Sequence, residues 1–87
     1  MAVYGGDLAQ LDELARRFAE EVGVVEGLQT RITAGLQGTA WTGPASQRFR
    51  DQWTADFVPA LNRLKDALGE GSAVVAHRRA AIERATG

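Results

Sequence analysis

The sequence predicts an all-α protein: two long antiparallel helices folded back on each other as a helix-turn-helix hairpin. Near the middle of its 87 residues sits Trp41-Thr42-Gly43-Pro44, a turn-forming cluster with a long helical pattern on each side. Two helices alone cannot enclose a core. The hairpin is therefore further expected to pair with a second one into a four-helix bundle dimer.

The first helix is expected over about residues 7–38. Asp7 follows Gly5-Gly6 and precedes an apolar run, with Gln10 three residues on, as in a capping box. From there Leu8, Leu11, Ala15, Phe18, Val22, Val25, Gln29, Ile32 and Leu36 recur at alternating steps of three and four, while Leu14 and Leu28 widen the stripe to one side. Asp12, Glu13, Arg16, Arg17, Glu20 and Glu26 fall elsewhere, so the segment reads as an amphipathic helix with a near-heptad seam. Gly23, Gly27 and Gly35 within it are read as sites of close helix approach.

The turn is expected over about 39–43, where Gly38 or Gly43 can take positive φ and Pro44 suits the first turn of a new helix. Thr42 or Gly43 supplies its N-cap. The second helix is expected over about 44–85. Ala45, Phe49, Trp53, Phe57, Leu61, Leu64, Leu68, Gly71, Val75 and Ile82 mark one slowly drifting apolar face. Pro59 cannot bond to the Ala55 carbonyl and predicts a kink there. Gly69-Glu70-Gly71-Ser72 is a second weak point, at about 1 kcal/mol per glycine relative to alanine. A full break there would give a short third helix from Ala73 to about Arg84 and a three-helix monomer. Such a short helix would leave the ends of the long pair uncovered, so the hairpin is preferred.

Composition narrows the function. A hydrophobic fraction of 45% is too high for disorder. A net charge of −1 with interspersed signs offers no basic face for nucleic acid or an anionic membrane. Cysteine is absent, which removes disulfide and thiolate chemistry. The segment Met1–Asp7 has no basic stretch leading into an apolar one, so no ordinary signal peptide is expected, and no run of about 18 apolar residues suggests membrane insertion. His77, the single histidine, lacks neighbours at metal-ligand spacing. No nucleophile–base arrangement or phosphate loop is recognisable, so neither an enzyme nor a cofactor is expected.

What remains is association. If the large apolar residues of the first helix stayed half exposed, about 1 kcal/mol apiece would be forfeited, roughly the whole net stability of a typical domain. The second helix adds Phe49, Trp53, Phe57 and several leucines to that surface. The residues expected at the hairpin and dimer interfaces are Leu11, Leu14, Phe18, Val22, Val25, Leu28, Ile32, Leu36, Phe49, Trp53, Phe57, Leu61, Leu64 and Leu68.

Trp41-Thr42-Gly43 at mid-chain, small residues after the turn, and Phe49 and Trp53 at their offsets resemble the WXG family of small, ESAT-like type VII (ESX) secretion substrates. The resemblance covers essentially the whole chain. Its specificity lies in position, length and flanking periodicity, since a bare Trp-X-Gly is common. It implies a hairpin that pairs with itself or a related WXG protein and is exported folded, without a cleaved signal peptide, by a machine whose motor is an FtsK/SpoIIIE-type ATPase. It also implies that the turn of one subunit lies near the other's C-terminal tail. Some members carry a Tyr-X-X-X-Asp/Glu export signal past the second helix. This chain departs from that: its one tyrosine is Tyr4, and Arg79 precedes Glu83 where the signal would have its aromatic. Either a heterodimer partner supplies the signal, which is preferred, or the natural chain continues further.

Within that frame Trp41 and Gly43 are the motif residues, Trp41 closing the bundle end and Gly43 permitting the reversal. Trp53 is expected in the core, in register with Phe49 and Phe57. Arg78, Arg79 and Arg84 suit a helix C-terminus, Ser46 and Ser72 read as helix-terminal or turn residues, and Arg48 and Arg50 as solvated-face residues. Two other functions fit less well: an adaptor that pairs with a larger type VII effector or toxin, and a membrane-active protein. Mixed charge on the polar faces disfavours the latter.

Overall fold

The computed structural model describes residues 6–86; Tyr4 lies outside them. Helix α1 runs from Leu8 to Gly38, 31 residues. The returning arm comprises α2 (Pro44–Gln52), a π-helical turn (Trp53–Phe57) and α3 (Val58–Thr86) in unbroken succession. At 1.5 Å per residue α1 is about 46 Å long and the returning arm about 64 Å, matching a molecule that measures 64 × 18 × 13 Å. The hairpin is an extended rod.

Each helix start has a visible cause. Asp7 caps α1: its Oδ1 accepts the Gln10 N–H at 3.0 Å, and its carbonyl accepts the Leu11 N–H at 2.9 Å. The returning arm begins with Gly43 at φ 107° and ψ 172°, followed by Pro44 in the first turn. That conformation is open essentially to glycine alone, so Gly43 rather than Thr42 takes the N-cap and supplies no side-chain cap.

The arms meet along one line. On α1 it comprises Leu8, Leu11, Ala15, Phe18, Val22, Val25, Gln29, Thr33 and Leu36, all at least half-buried. On α3 it comprises Leu61, Lys65, Leu68, Ser72, Val75, Arg79 and Ile82. Ile32 was expected in this line but is exposed, because Trp53 donates its indole N–H to Thr33 Oγ1 at 3.1 Å and so draws Thr33 inward. Arg79 fixes the far end: its Nε lies 2.9 Å from Asp12 Oδ1 across the seam, and it also pairs with Glu83. The hydrogen bond to Glu83 and the two carboxylate charges raise the Arg79 pKa, so it stays protonated.

Two expectations need correction, and the expected kink site takes a specific form. Just before Pro59 the arm makes a π turn, closed by a bond from the Val58 N–H to the Trp53 carbonyl. Two facts favour that wider turn. Proline crowds the carbonyl four residues back, and Ala45, Phe49, Trp53, Phe57 and Leu61 step by four, which on a regular α-helix drifts about 40° per step. The break at Gly69–Ser72 is absent: α3 is continuous there. At Gly71 the arms pack closely: an added Cβ would lie 3.3 Å from the Phe18 ring, and the neighbouring Ser72 Oγ donates to the Ala15 carbonyl at 2.9 Å. Tertiary contact thus overrides the weak helix propensity of glycine. Among the described residues no third helix folds back. Finally, Gly23 and Gly35 face open space, and Gly27 meets only Arg31 of its own helix, so none receives the opposite arm.

Gly71→Val should displace Phe18 and destabilise the fold by about 1–3 kcal/mol. Gly69→Ala, pointing into open space, should instead stabilise by up to about 1 kcal/mol. Urea unfolding followed by circular dichroism separates the two; equal losses would remove the close-approach role of Gly71.

Candidate interaction surface

Two features outside the seam carry interaction chemistry: the corner, and one long apolar face. The corner is built by Arg50. Its Nε donates to Ser46 Oγ at 2.9 Å, and Nη1 donates to the Leu36 carbonyl. Nη2 reaches the carbonyls of Thr39 at 3.3 Å and Trp41 at 3.4 Å. Ser46 Oγ in turn donates to the Trp41 carbonyl at 2.8 Å, and Thr39 Oγ1 donates to the Gly35 carbonyl at 2.6 Å.

These contacts answer a general requirement. The last four carbonyls of a helix lack intrahelical partners and carry partial negative charge. Here Arg50 and the Thr39 hydroxyl satisfy two of them, Leu36 and Gly35, while Arg50 and the Ser46 hydroxyl hold the turn carbonyls of Thr39 and Trp41; Ser46 is one of only two buried residues among those described, with Val25. The sequence reading placed Arg50 on a solvated face and Ser46 at a helix terminus or turn, and missed this clamp. The sequence signal available was weak: a polar residue one turn inside a helix and an arginine four residues later.

With its carbonyl held, Trp41 turns its ring outward. It is 42% exposed and packs at 6.2 Å against Phe49, which lies 6.1 Å from Phe57. Phe57 also meets Trp53 at 6.2 Å. Trp53 is half-buried and bonded to Thr33, whereas Phe49 and Phe57 are exposed. The fourteen interface residues expected from sequence thus divide. Leu11, Phe18, Val22, Val25, Leu36, Trp53, Leu61 and Leu68 lie in or against the seam, while Leu14, Leu28, Ile32, Phe49, Phe57 and Leu64 face solvent. Val24 and Val74, which the sequence reading did not single out, are exposed as well, at 56% and 58%.

These exposed residues share one side. At about 100° per residue, Leu14, Leu28 and Ile32 lie roughly 60–100° around α1 from its seam. Leu64, Ala67 and Val74 are offset in the same rotational sense on α3. In antiparallel helices, equal offsets in one sense open onto the same face. At the corner a groove of about 320 Å³ joins Ile32 and Gly35 of α1 to Trp41 and Phe49. The result is a strip of exposed apolar side chains along the rod, interrupted by Arg17 and Glu21 on α1 and by Arg78 on α3, and ending in the aromatic row.

Among the described residues no group of three His, Cys, Asp or Glu side chains is placed to hold a metal ion. No helix described is long and apolar enough to cross a membrane. No family model, no curated protein and no solved structure matches the chain.

Arg50→Ala should cost about 1–2 kcal/mol of stability by leaving helix-end carbonyls unpaired. Arg50→Lys should recover less than half of it, since an ammonium cannot span the same acceptors. Thermal unfolding of the two variants measures this; full rescue by lysine would reduce the clamp to simple charge.

Proposed function

We propose that this chain is a non-enzymatic interaction protein, one half of an elongated four-helix bundle, and that it serves as a type VII (ESX) secretion substrate exported folded with a related WXG partner or a second copy. The observation that carries this reading is the unpartnered apolar strip continuous with the Trp41 corner. Its size supports a partner. A compact monomer of 9.3 kDa exposes about 5,000 Å², against 6306 Å² for this chain. The difference exceeds the roughly 800 Å² that each partner buries in a standard interface. The radius of gyration, 19.3 Å, is likewise well above the roughly 12 Å of a compact domain of this length.

In this reading the Trp-X-Gly segment has two tasks. Gly43 makes the reversal, and Trp41, anchored through its backbone by Ser46 and Arg50, presents its ring at the bundle end, where the export machine with its FtsK/SpoIIIE-type motor engages it. With a related WXG partner, the Tyr-X-X-X-Asp/Glu signal then comes from that partner.

Light scattering on the purified chain, alone and co-expressed with a cognate WXG protein, tests the bundle: an assembly of two hairpins is expected in at least one sample. A compact folded monomer in both would sink the reading. Leu28→Asp with Leu64→Asp should abolish that assembly, since each buries a charge in the strip. Trp41→Ala should lower export in the secreting cell far more than it lowers helix content; parallel losses would leave the ring with packing alone.

A further inference from the structure

The one buried polar residue among those described serves a residue that is not buried. Ser46 is 2% exposed, yet its hydroxyl donates to the carbonyl of Trp41, whose own side chain is left at the surface. The same hydroxyl accepts the Arg50 Nε–H at 2.9 Å, and Arg50 Nη2 lies 3.4 Å from the same Trp41 carbonyl. On its other side, the Trp41 N–H donates to the Thr39 carbonyl at 2.9 Å, which Arg50 Nη2 also reaches. Both polar backbone groups of Trp41 are thus held, although it lies in the turn.

Helix capping does not account for this arrangement. The end of α1 needs partners for its last carbonyls, and Leu36 and Gly35 receive theirs from Arg50 and Thr39. Trp41 lies beyond Gly38, where α1 stops, so its carbonyl is no part of that helix end. What its two donors fix is the direction of an indole ring. Phe49 meets that ring at 6.2 Å, and the ring walls the corner groove together with Ile32, Gly35 and Phe49. Ser46, Phe49 and Arg50 are spaced i, i+3 and i+4, so one face of α2 carries the whole cradle.

We infer that Ser46 and Arg50 are positioning residues for export: they hold the Trp41 backbone so that its ring is already aimed when the export machine arrives. This rests on the corner's role proposed above and deepens it, by adding two residues that act through Trp41 rather than by contact. The gain is preorganisation. A turn residue free to rotate must be ordered at the moment of docking, which weakens docking roughly 5- to 30-fold for one residue's backbone. Here that ordering is completed during folding.

The test joins export to a direct readout of the ring. Ser46→Ala removes the shared hydroxyl and favours helix, and Arg50→Lys keeps the charge but cannot span the same acceptors. Each should lower export in the secreting cell roughly 5- to 30-fold, at unchanged helix content by circular dichroism. Normal export of Ser46→Ala overturns the inference. Adding Ser46→Ala to Trp41→Ala should lower export no further, because the hydroxyl acts through Trp41; losses that multiply overturn that route. In protein labelled with fluorotryptophan, fluorine NMR gives one line each for Trp41 and Trp53, the two tryptophans of the chain. Ser46→Ala should shift or broaden the Trp41 line and leave the Trp53 line in place. An unmoved Trp41 line overturns the inference even if export falls. Wild-type export of Trp41→Ala has a different meaning: it removes the corner's role itself, whatever the Trp41 line does in Ser46→Ala.

Discussion

Two helices in contact along a line can withdraw from water only what lies on that line. A heptad-like seam uses about two positions in seven for this purpose, and α1 and α3 spend theirs on each other. Everything apolar beyond that line must find another surface or stay wet. In this chain the surplus is not scattered. It falls at matching offsets on both arms and continues through Phe57 and Phe49 to Trp41. Scattered apolar residues are ordinary on protein surfaces, but exposed apolar residues gathered on one side of the molecule mark association. The rod shape follows from the same constraint, because a hairpin that shortened itself into a three-helix globule would have no second use for the strip.

The polar side chains divide the labour differently. Within the hairpin they fix position rather than supply bulk stability: Trp53 to Thr33, Ser72 to Ala15 and Arg79 to Asp12 are spaced along the seam like rungs. Each makes a specific level energetically distinct, where a purely aliphatic seam would tolerate a slip of one turn. At the corner, Arg50 couples the end of α1 to the start of α2, so the direction in which Trp41 points is tied to the helix that follows it.

Much of this was legible in the sequence. The seam of α1 could be read residue by residue because alternating steps of three and four admit few alternatives, and Asp7 with Gln10 announced its beginning. The exchange of Ile32 for Thr33 was not legible, since it depends on an indole N–H arriving from twenty residues away. Nor was the continuity of α3 through Gly69–Ser72. Local propensity argued for a break, and only the Phe18 ring across the seam explains why a residue without a side chain sits there. Arg50 was misread for a related reason. A long flexible cation has no periodicity to betray it, and its acceptors are backbone carbonyls, which every residue carries. The separation of seam residues from strip residues, such as Leu61 from Leu64, needed the facing of the two arms.

The widened turn at Trp53–Phe57 has a consequence for how this molecule can change. One surplus residue is absorbed there without being looped out. Losing a single residue from this stretch would return the turn to regular α-helical spacing and leave the two flanking helices in nearly the same relative phase. The corner and the strip would keep facing the same way. A one-residue shortening is therefore tolerable at this spot, where Thr54, Ala55 and Asp56 are themselves exposed.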